Sequence, residues 1–254
     1  MLSVADHDTV AAVPAVTALA ARVGIVVVPG IEITSEWHGI DVHILGYFFD
    51  PGSTVLAAFL RRQRADRVDR LHVMAARLAD LGNPVDIAAL VESADASSPR
   101  SIGRPHLAWA LVDAGHATDV GDAFERFLRP GGPAFVPRRG PSPSGAVRMI
   151  KRAGGCSSLA HPTSVGHDEL IPDLVDAGLD AIEAWHPDHS PSVVEHYRRL
   201  AQGHGLAVSG GSDYHADPAH GTLTLGSVVL PAEEYEALRE RHVGGKLDDH
   251  HHHA

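Results

Sequence analysis

No run of apolar residues in this 254-residue chain approaches the roughly 18 needed to cross a bilayer. The N-terminus also lacks the basic-then-apolar pattern of a secretion signal, so the expectation is a cytoplasmic protein with no membrane partner. Cysteine is nearly absent. Cys156 alone cannot form an internal disulfide, and its neighbours Gly154, Gly155 and Ser157 give it no nucleophile pocket, which leaves the role of a small buried packing residue. An excess of positive charge is missing too: the formal net charge of −11 excludes a protein that coats nucleic acid through its overall field, although a local basic groove stays open. There is no repeat at a fixed period and no Gly/Ser linker, so one domain is the default at this length.

What is present is ordinary for a packed fold, with 44% apolar and 21% charged residues. Histidine is the exception at 19, of which His250 to His253 form a terminal run that is set aside as a tag or tail. A helical pattern over Val10 to Arg22, with Pro14 in its first turn, is closed by Gly24. Ile25 to Val28 and Val42 to Phe49 read as strands, the second stopped by Asp50-Pro51-Gly52. From Ser53 to Pro137 the chain turns to helices and loops, with Val68, Leu71, Ala75 and Leu78 on one face of a long segment. Alternation then resumes: helix Ser144 to Ala153, strand Cys156 to Ala160, helix Asp168 to Ala177, strand Ala181 to Trp185, helix Ser192 to Gly203. Strands Leu206 to Ser209 and Leu223 to Leu230 and a helix Ala232 to Arg241 complete it. Such alternation predicts an α/β fold with a largely parallel sheet, closed as a barrel rather than open. The expected divisions are residues 1–52 as the first part of the barrel, 53–137 as an inserted helical lobe, 138–243 as the second part, and 244–254 as a disordered histidine-containing tail.

Metal-competent side chains follow the apolar runs: Asp6-His7-Asp8 after Leu2 to Ala5, Glu32 after Ile25 to Gly30, His161 after Cys156 to Ala160, and Asp213 and His215 after Leu206 to Ser209. Strand C-termini are where parallel barrels gather their sites, and this donor set suits divalent Zn, Mn or Fe. Alternation along an extended segment turns Asp213 and His215 the same way, with Tyr214 pointing away. Each member alone has a plainer reading: His43, inside a strand between Val42 and Ile44, as a satisfied core histidine, His161-Pro162 as a turn, Asp6-His7-Asp8 as a helix cap. Their coincidence at five strand ends or interiors favours one shared site.

The stretches Ala5-Asp6-His7-Asp8-Thr9, Pro29-Gly30-Ile31-Glu32-Ile33, Val42-His43-Ile44-Leu45-Gly46-Tyr47, Gly103-Arg104-Pro105-His106, Leu159-Ala160-His161-Pro162 and Gly211-Ser212-Asp213-Tyr214-His215 resemble, in order, those of the PHP (polymerase and histidinol phosphatase) family, in its stand-alone phosphoesterase branch. The resemblance covers nearly the whole chain and implies a distorted seven-stranded β/α barrel with a trinuclear metal site. By motif position it places His7 and His215 on one metal, Glu32 and Asp213 on another with Glu32 bridging, and His43 and His161 on a third; the ions are expected to be Mn2+, with Zn2+ or Fe2+ as alternatives. A hydroxide activated by the cations would attack phosphorus. Glu32 and His215 are the expected catalytic residues, His215 reaching the phosphate or leaving group. Arg104 and His106 resemble the family's substrate-recognition segment and Arg138 and Arg139 its second one, arginine being suited to phosphate by its planar fork. An exposed loop pair is the plainer reading of Arg138 and Arg139. His186 is a further candidate substrate contact, while His189 is expected to cap a helix or face solvent. The basic run Arg61 to Arg70 reads as an oligonucleotide path or, with Asp66 and Arg70 at i, i+4, as a solvated salt-bridged face.

Family members begin with a strand carrying His-x-His and a Ser-Asp-Gly segment, and this sequence has neither, so one strand and up to three ligands are expected to be absent. A misplaced start, a shortened chain and a genuinely short protein would each account for it. The expected enzyme is a metal-dependent hydrolase of phosphate esters in nucleotides, either 3′,5′-bisphosphates or the 5′ ends of short oligonucleotides. The alternatives are a small-metabolite phosphatase such as a histidinol phosphatase, and a metal-binding protein without turnover. Oligomeric state is not legible.

Overall fold

The computed structural model describes residues 1–95, 101–215 and 225–248. Six strands form one sheet in chain order: β1 (Leu2–Val4), β2 (Val27–Trp37), β3 (Ile40–Tyr47), β4 (Cys156–Leu159), β5 (Ala181–Trp185) and β6 (Ala207–Gly210). The β1/β2, β4/β5 and β5/β6 pairs are parallel, whereas β3 runs antiparallel to both β2 and β4. The sheet is therefore more mixed than the alternation predicts. The reason is local. Only His38 and Gly39 separate β2 from β3, both with positive φ (50° and 84°), and a two-residue turn of that hand folds one strand straight back on the other.

The expected strand Ile25 to Val28 becomes Val27–Trp37, which puts Glu32 in the middle of a strand opposite Leu45 rather than beyond its end. No seventh strand joins the sheet among the described residues. Of the expected strand Leu223 to Leu230, positions 223 and 224 lie outside the described residues. Positions 225–230 are turn, bend and coil, with Gly226 at φ 78° and Pro231 interrupting extension. The last helix continues to Asp248, so residues 244–248 of the expected tail are helical, and 249–254 lie outside the described residues.

Period-two alternation sorts the hairpin's side chains between two faces. Ile31, Ile33, Val42 and Ile44 are fully buried in the main core, against Val147 and Ile150 of the helix Pro143–Arg152. Glu32, Thr34 and His43, alternate with them, are thereby left for the opposite face. A second core gathers Leu71, Met74, Leu78, Ile102, Leu107, Leu111 and Leu128. The 27-residue helix Thr54–Asp80, capped by Ser53 Oγ accepting from Leu56 N at 3.3 Å, joins the two cores. Its first turns give Leu56, Phe59 and Leu60 to the main core, and its last turns give Leu71, Met74 and Leu78 to the other.

Candidate metal and phosphate site

After β1 the chain continues alongside β2. Glu32 N donates to Asp6 O (3.0 Å) and Asp8 N to Glu32 O (2.9 Å), which sets His7 beside Glu32. On the other side His43 comes from β3, and its carbonyl accepts from Ala160 N at 3.0 Å, bringing the end of β4 and His161 against it. Glu32 is the centre of what results. Its Oε1 lies 2.6 Å from His43 Nδ1 and 3.2 Å from His161 Nε2, and its Oε2 lies 3.5 Å from His7 Nδ1. Burial opposes charge on Glu32, but the surrounding imidazoles outweigh it and hold the carboxyl well below its usual range.

The tautomer of His161 follows from its neighbour. Ser164 spends its hydroxyl hydrogen on the His161 carbonyl (2.7 Å), so the Ser164 oxygen accepts from His161 Nδ1–H (2.6 Å). In the neutral ring that leaves Nε2 without a hydrogen, facing the Glu32 carboxylate. Two acceptors so placed need a cation. Burial disfavours a proton there, yet Glu32, with Glu183 and Asp213 behind it, outweighs burial and lifts the His161 pKa to about 9. A metal ion meets the same need. His7 Nδ1 gives a second, independent sign of fit, being buried without a hydrogen-bond partner, and burial lowers the pKa of that ring so that its lone pair is available. One donor atom each from His7, Glu32 and His43 lie within 4.8 Å of one another.

The remaining expected ligands close a ring around Glu32. His215 Nε2 lies 3.5 Å from His7 Nε2, and His215 Nδ1 lies 2.9 Å from the carbonyl of Asp213. Asp213 Oδ2 faces His186 Nε2 at 3.4 Å; because His186 Nδ1 accepts from Asp188 N (3.2 Å), it is Nε2 that carries the hydrogen and donates. His186, expected as a substrate contact, thus also orients Asp213, and its ring stands 5.8 Å from that of His161. His189 neither caps the next helix, which Ser190 caps, nor faces solvent; it is buried, with Nδ1 2.8 Å from Ala184 O and Nε2 3.0 Å from Thr163 Oγ1. Among the described residues, three of the five non-glycine residues with positive φ sit here: Asp8 (52°), His161 (23°) and Asp213 (41°). Such conformations are held only where the surroundings over-determine them.

Sequence reasoning missed two parts of this construction. Glu183, buried on β5, accepts from His161 N at 2.6 Å, and burial pushes its pKa up to about 7. Its place inside Ala181 to Trp185, pointing with neither terminus, gave no sign of a link to His161. The second is that Arg67 and Arg70 join the expected Arg104 and Arg138 in a set of guanidinium groups next to the ring. Arg67 and Arg138 both reach Asp8, whose carboxyl stays below its ordinary range despite burial. Arg67, Arg70 and Arg104 line a small crevice with Leu71, Met74, Ile102 and Gly103. Crowding shows in Arg70, whose pKa falls to about 10 through burial first and then the charges of Arg104, Arg138 and Arg67, with Asp41 opposing.

Arg70 Nε donates to Val136 O (2.7 Å), and no Asp66–Arg70 ion pair forms among the described residues; Arg67 and Arg70 turn inward, whereas Arg61, Arg62 and Asp66 stay exposed. Arg104 lies 3.4 Å from Asp41 and over the rings of Phe124 and Phe135 (5.8 and 5.6 Å), which fixes its plane. Arg138 is largely buried rather than in an exposed loop, and its Nε has no hydrogen-bond partner. Arg139 is exposed. His106 uses Nδ1 to accept from Gly103 N (3.3 Å) at the start of the helix Arg104–Asp113.

No protein-family model matches the chain. Similar proteins do. Over 233 residues the chain is 35% identical to a 3′,5′-nucleoside bisphosphate phosphatase of Chromobacterium violaceum, covering 89% of this chain and 80% of that protein. Over 221 residues it is 30% identical to the 5′-3′ exoribonuclease Rnm of Salmonella typhimurium, covering 84% and 74%. A solved structure from Bifidobacterium adolescentis, described as that of a metal-dependent phosphoesterase, superposes with a TM-score of 0.79 at 30% identity, over 94% of this chain and 85% of that one.

Proposed function

The chain belongs to the phosphoesterase family that includes 3′,5′-nucleoside bisphosphate phosphatase and 5′-3′ exoribonuclease, and from that premise we propose that it hydrolyses phosphate esters of 3′,5′-bisphosphate nucleotides or of the 5′ ends of short oligonucleotides. The observation that carries the reading is the convergence of His43 Nδ1, His161 Nε2 and the unpartnered His7 Nδ1 on the buried Glu32 carboxylate, next to a crevice of arginines. In this reading the fold is a PHP barrel of parts 1–52 and 138–243, and residues 53–137 are its substrate lobe. His7, Glu32, His43, His161, Asp213 and His215 hold divalent cations, Mn2+ first among them. When bound, these supply activation of water and neutralisation of phosphate charge.

The protein's own groups do the rest. Glu32 keeps the imidazoles converged. His186 and Glu183 orient Asp213 and His161. Arg104, Arg138 and Arg139 grip the substrate phosphate that is not cleaved, the unpartnered Nε of Arg138 being a donor ready for it, and His106 contacts the same end. His215, at the open side of the ring, touches the reacting phosphate or the leaving group. The protein works in the cytoplasm.

Phosphate release from adenosine 3′,5′-bisphosphate and from a short 5′-phosphorylated RNA, with Mn2+ present, tests the proposal. Turnover of either, abolished by chelation and restored by Mn2+, is the expected result. Turnover of histidinol phosphate alone would move the assignment to a small-metabolite phosphatase. No turnover of any of the three, with fewer than two metals bound per chain, would leave a metal-binding protein without catalysis.

A further inference from the structure

The long helix Thr54–Asp80 carries one arginine that faces inward where an apolar residue is due. Its buried stripe is Leu56, Leu60, Gln63, Leu71, Met74 and Leu78, spaced by three and four residues except for a gap at position 67. Arg67 fills that gap. Its side chain is 11% exposed, and its donors go to three separate segments. Nε (3.0 Å) and Nη2 reach Asp8 Oδ2, Nη2 lies 3.3 Å from Thr34 Oγ1, and Nη1 donates to Ile102 O at 3.0 Å.

Each partner stands next to a residue of the site. Asp8 follows His7, Thr34 lies two positions beyond Glu32 on β2, and Ile102-Gly103 opens the helix that presents Arg104 and His106. Asp8 is itself fully buried and in a left-handed conformation, so its carboxylate is fixed rather than adjustable. Gly103 fits tightly: a Cβ there would stand 3.3 Å from Arg67 Nη1.

We infer that Arg67 is a positioning residue that sets the distance and register between the metal ring and the substrate-binding helix Arg104–Asp113. Although it lines the crevice, its donors are turned to Asp8, Thr34 and the Ile102 carbonyl rather than toward substrate, and it acts through Asp8 on one side and that carbonyl on the other. Only a guanidinium has donors in the plane and number required, so lysine is no substitute. Losing Arg67 leaves Asp8 still held by Thr34 N (3.0 Å) and by Arg138 (3.4 Å), so the ring keeps its shape while the helix loses its anchor. The kinetic consequence rests on the phosphoesterase reading; the structural one does not.

The test uses the full chain loaded with Mn2+, as wild type, Arg67→Lys and Arg67→Ala. For adenosine 3′,5′-bisphosphate, kcat/KM is expected to fall about 100-fold in both variants, the scale of a displacement of about 1 Å between reacting groups. For 4-nitrophenyl phosphate, too small to reach Arg104, it is expected to stay near the wild-type value. Guanidinium ion is expected to restore the nucleotide reaction in Arg67→Ala and to do nothing for wild type. Hydrogen exchange gives a readout independent of turnover: the amides of His106 and Leu107, which donate to Gly103 O, should lose protection while β2 to β5 keep theirs. Equal losses on both esters, or unchanged rates on both, would overturn the inference. Should wild type hydrolyse neither ester, the proposed function has failed, and exchange alone decides: loss confined to the start of the helix Arg104–Asp113 upholds the positioning role, and loss spread over the sheet or absent altogether refutes it.

Discussion

The ring around Glu32 and the arginine crevice beside it are electrostatic opposites built from adjacent elements. In the ring, carboxylates and ring nitrogens converge, and His161, whose Nδ1 donates to Ser164, turns Nε2 toward the Glu32 carboxylate. In the crevice, burial first and then neighbouring guanidinium charges depress Arg70, with Asp8 and Asp41 as the nearby counter-charges. Like charges or like lone pairs held together cost free energy unless a partner arrives, which favours a cation at the ring and an anion at the guanidinium groups beside it. A nucleotide with two phosphates has use for both. Asp8 joins them, lying next to His7 in sequence and bonded to Arg67 and Arg138 in space.

Breaking the ring should have the largest effect. Glu32→Gln keeps the volume and removes the charge on which three imidazoles converge. Metal content measured by atomic emission should fall below half of wild type, and kcat should fall by at least about 10³-fold with no comparable change in KM. Retention of full metal content would show that Glu32 is not a ligand. Breaking the crevice should give a smaller effect of a different kind. Arg104→Ala should raise KM for adenosine 3′,5′-bisphosphate by about 10- to 100-fold, the scale of one lost charge-assisted contact, and change kcat less. Initial rates over a range of substrate concentrations separate the two patterns; a pure kcat defect in Arg104→Ala would dissolve the distinction between the regions.

The ring was largely legible in the sequence because each candidate ligand follows or interrupts an apolar run, and β-strands deliver such residues at predictable places. His7, Glu32, His43, His161, Asp213 and His215 all come together, although Glu32 does so from mid-strand. Its surroundings were less legible, since Glu183 acts through a backbone contact that no spacing announces. The crevice was read only in part. Arg104 and Arg138 were candidates, but Arg67 and Arg70 looked like members of a solvated face because a basic run at helical spacing usually is one. The available signal was the missing apolar residue at position 67 in the stripe from Leu60 to Leu78, a gap that marks a buried cation needing a buried partner. The hairpin was legible too late: His38-Gly39 is a two-residue turn signal, and it makes β3 antiparallel where strand and helix alternation predicts otherwise.

That turn serves both regions, which makes it a way to perturb them together. Gly39, at φ 84°, sits between β2, which carries Glu32, and β3, which carries His43 and, at its start, the Asp41 that pairs with Arg104. Gly39→Ala meets no steric obstacle in space but strains the backbone, and should cost about 1–2 kcal/mol of stability in a denaturant titration. Metal affinity and nucleotide KM should move together by a few-fold at most. Movement of one without the other would show that the hairpin supports only that region.

The smallest effect belongs to Cys156, which lies on β4 away from both regions and packs with Ala181 and Leu238. Burial, with Asp180 nearby, pushes its thiol far above the ordinary value of 9.0. The sign follows from which state ionises first. Below pH 9 the thiol is neutral whether folded or unfolded, and no pH dependence arises from it. Above the unfolded pKa the unfolded chain releases the proton while the folded chain keeps it, so stability falls as pH rises, by about 1.4 kcal/mol per unit. Cys156→Ala should remove that loss. Urea midpoints at pH 8 and pH 10 should show wild type losing stability relative to Cys156→Ala by about 1 kcal/mol, with metal content and nucleotide kinetics unchanged at pH 8. A change in either functional readout would connect the back of β4 to the ring through His161, two residues past the end of that strand.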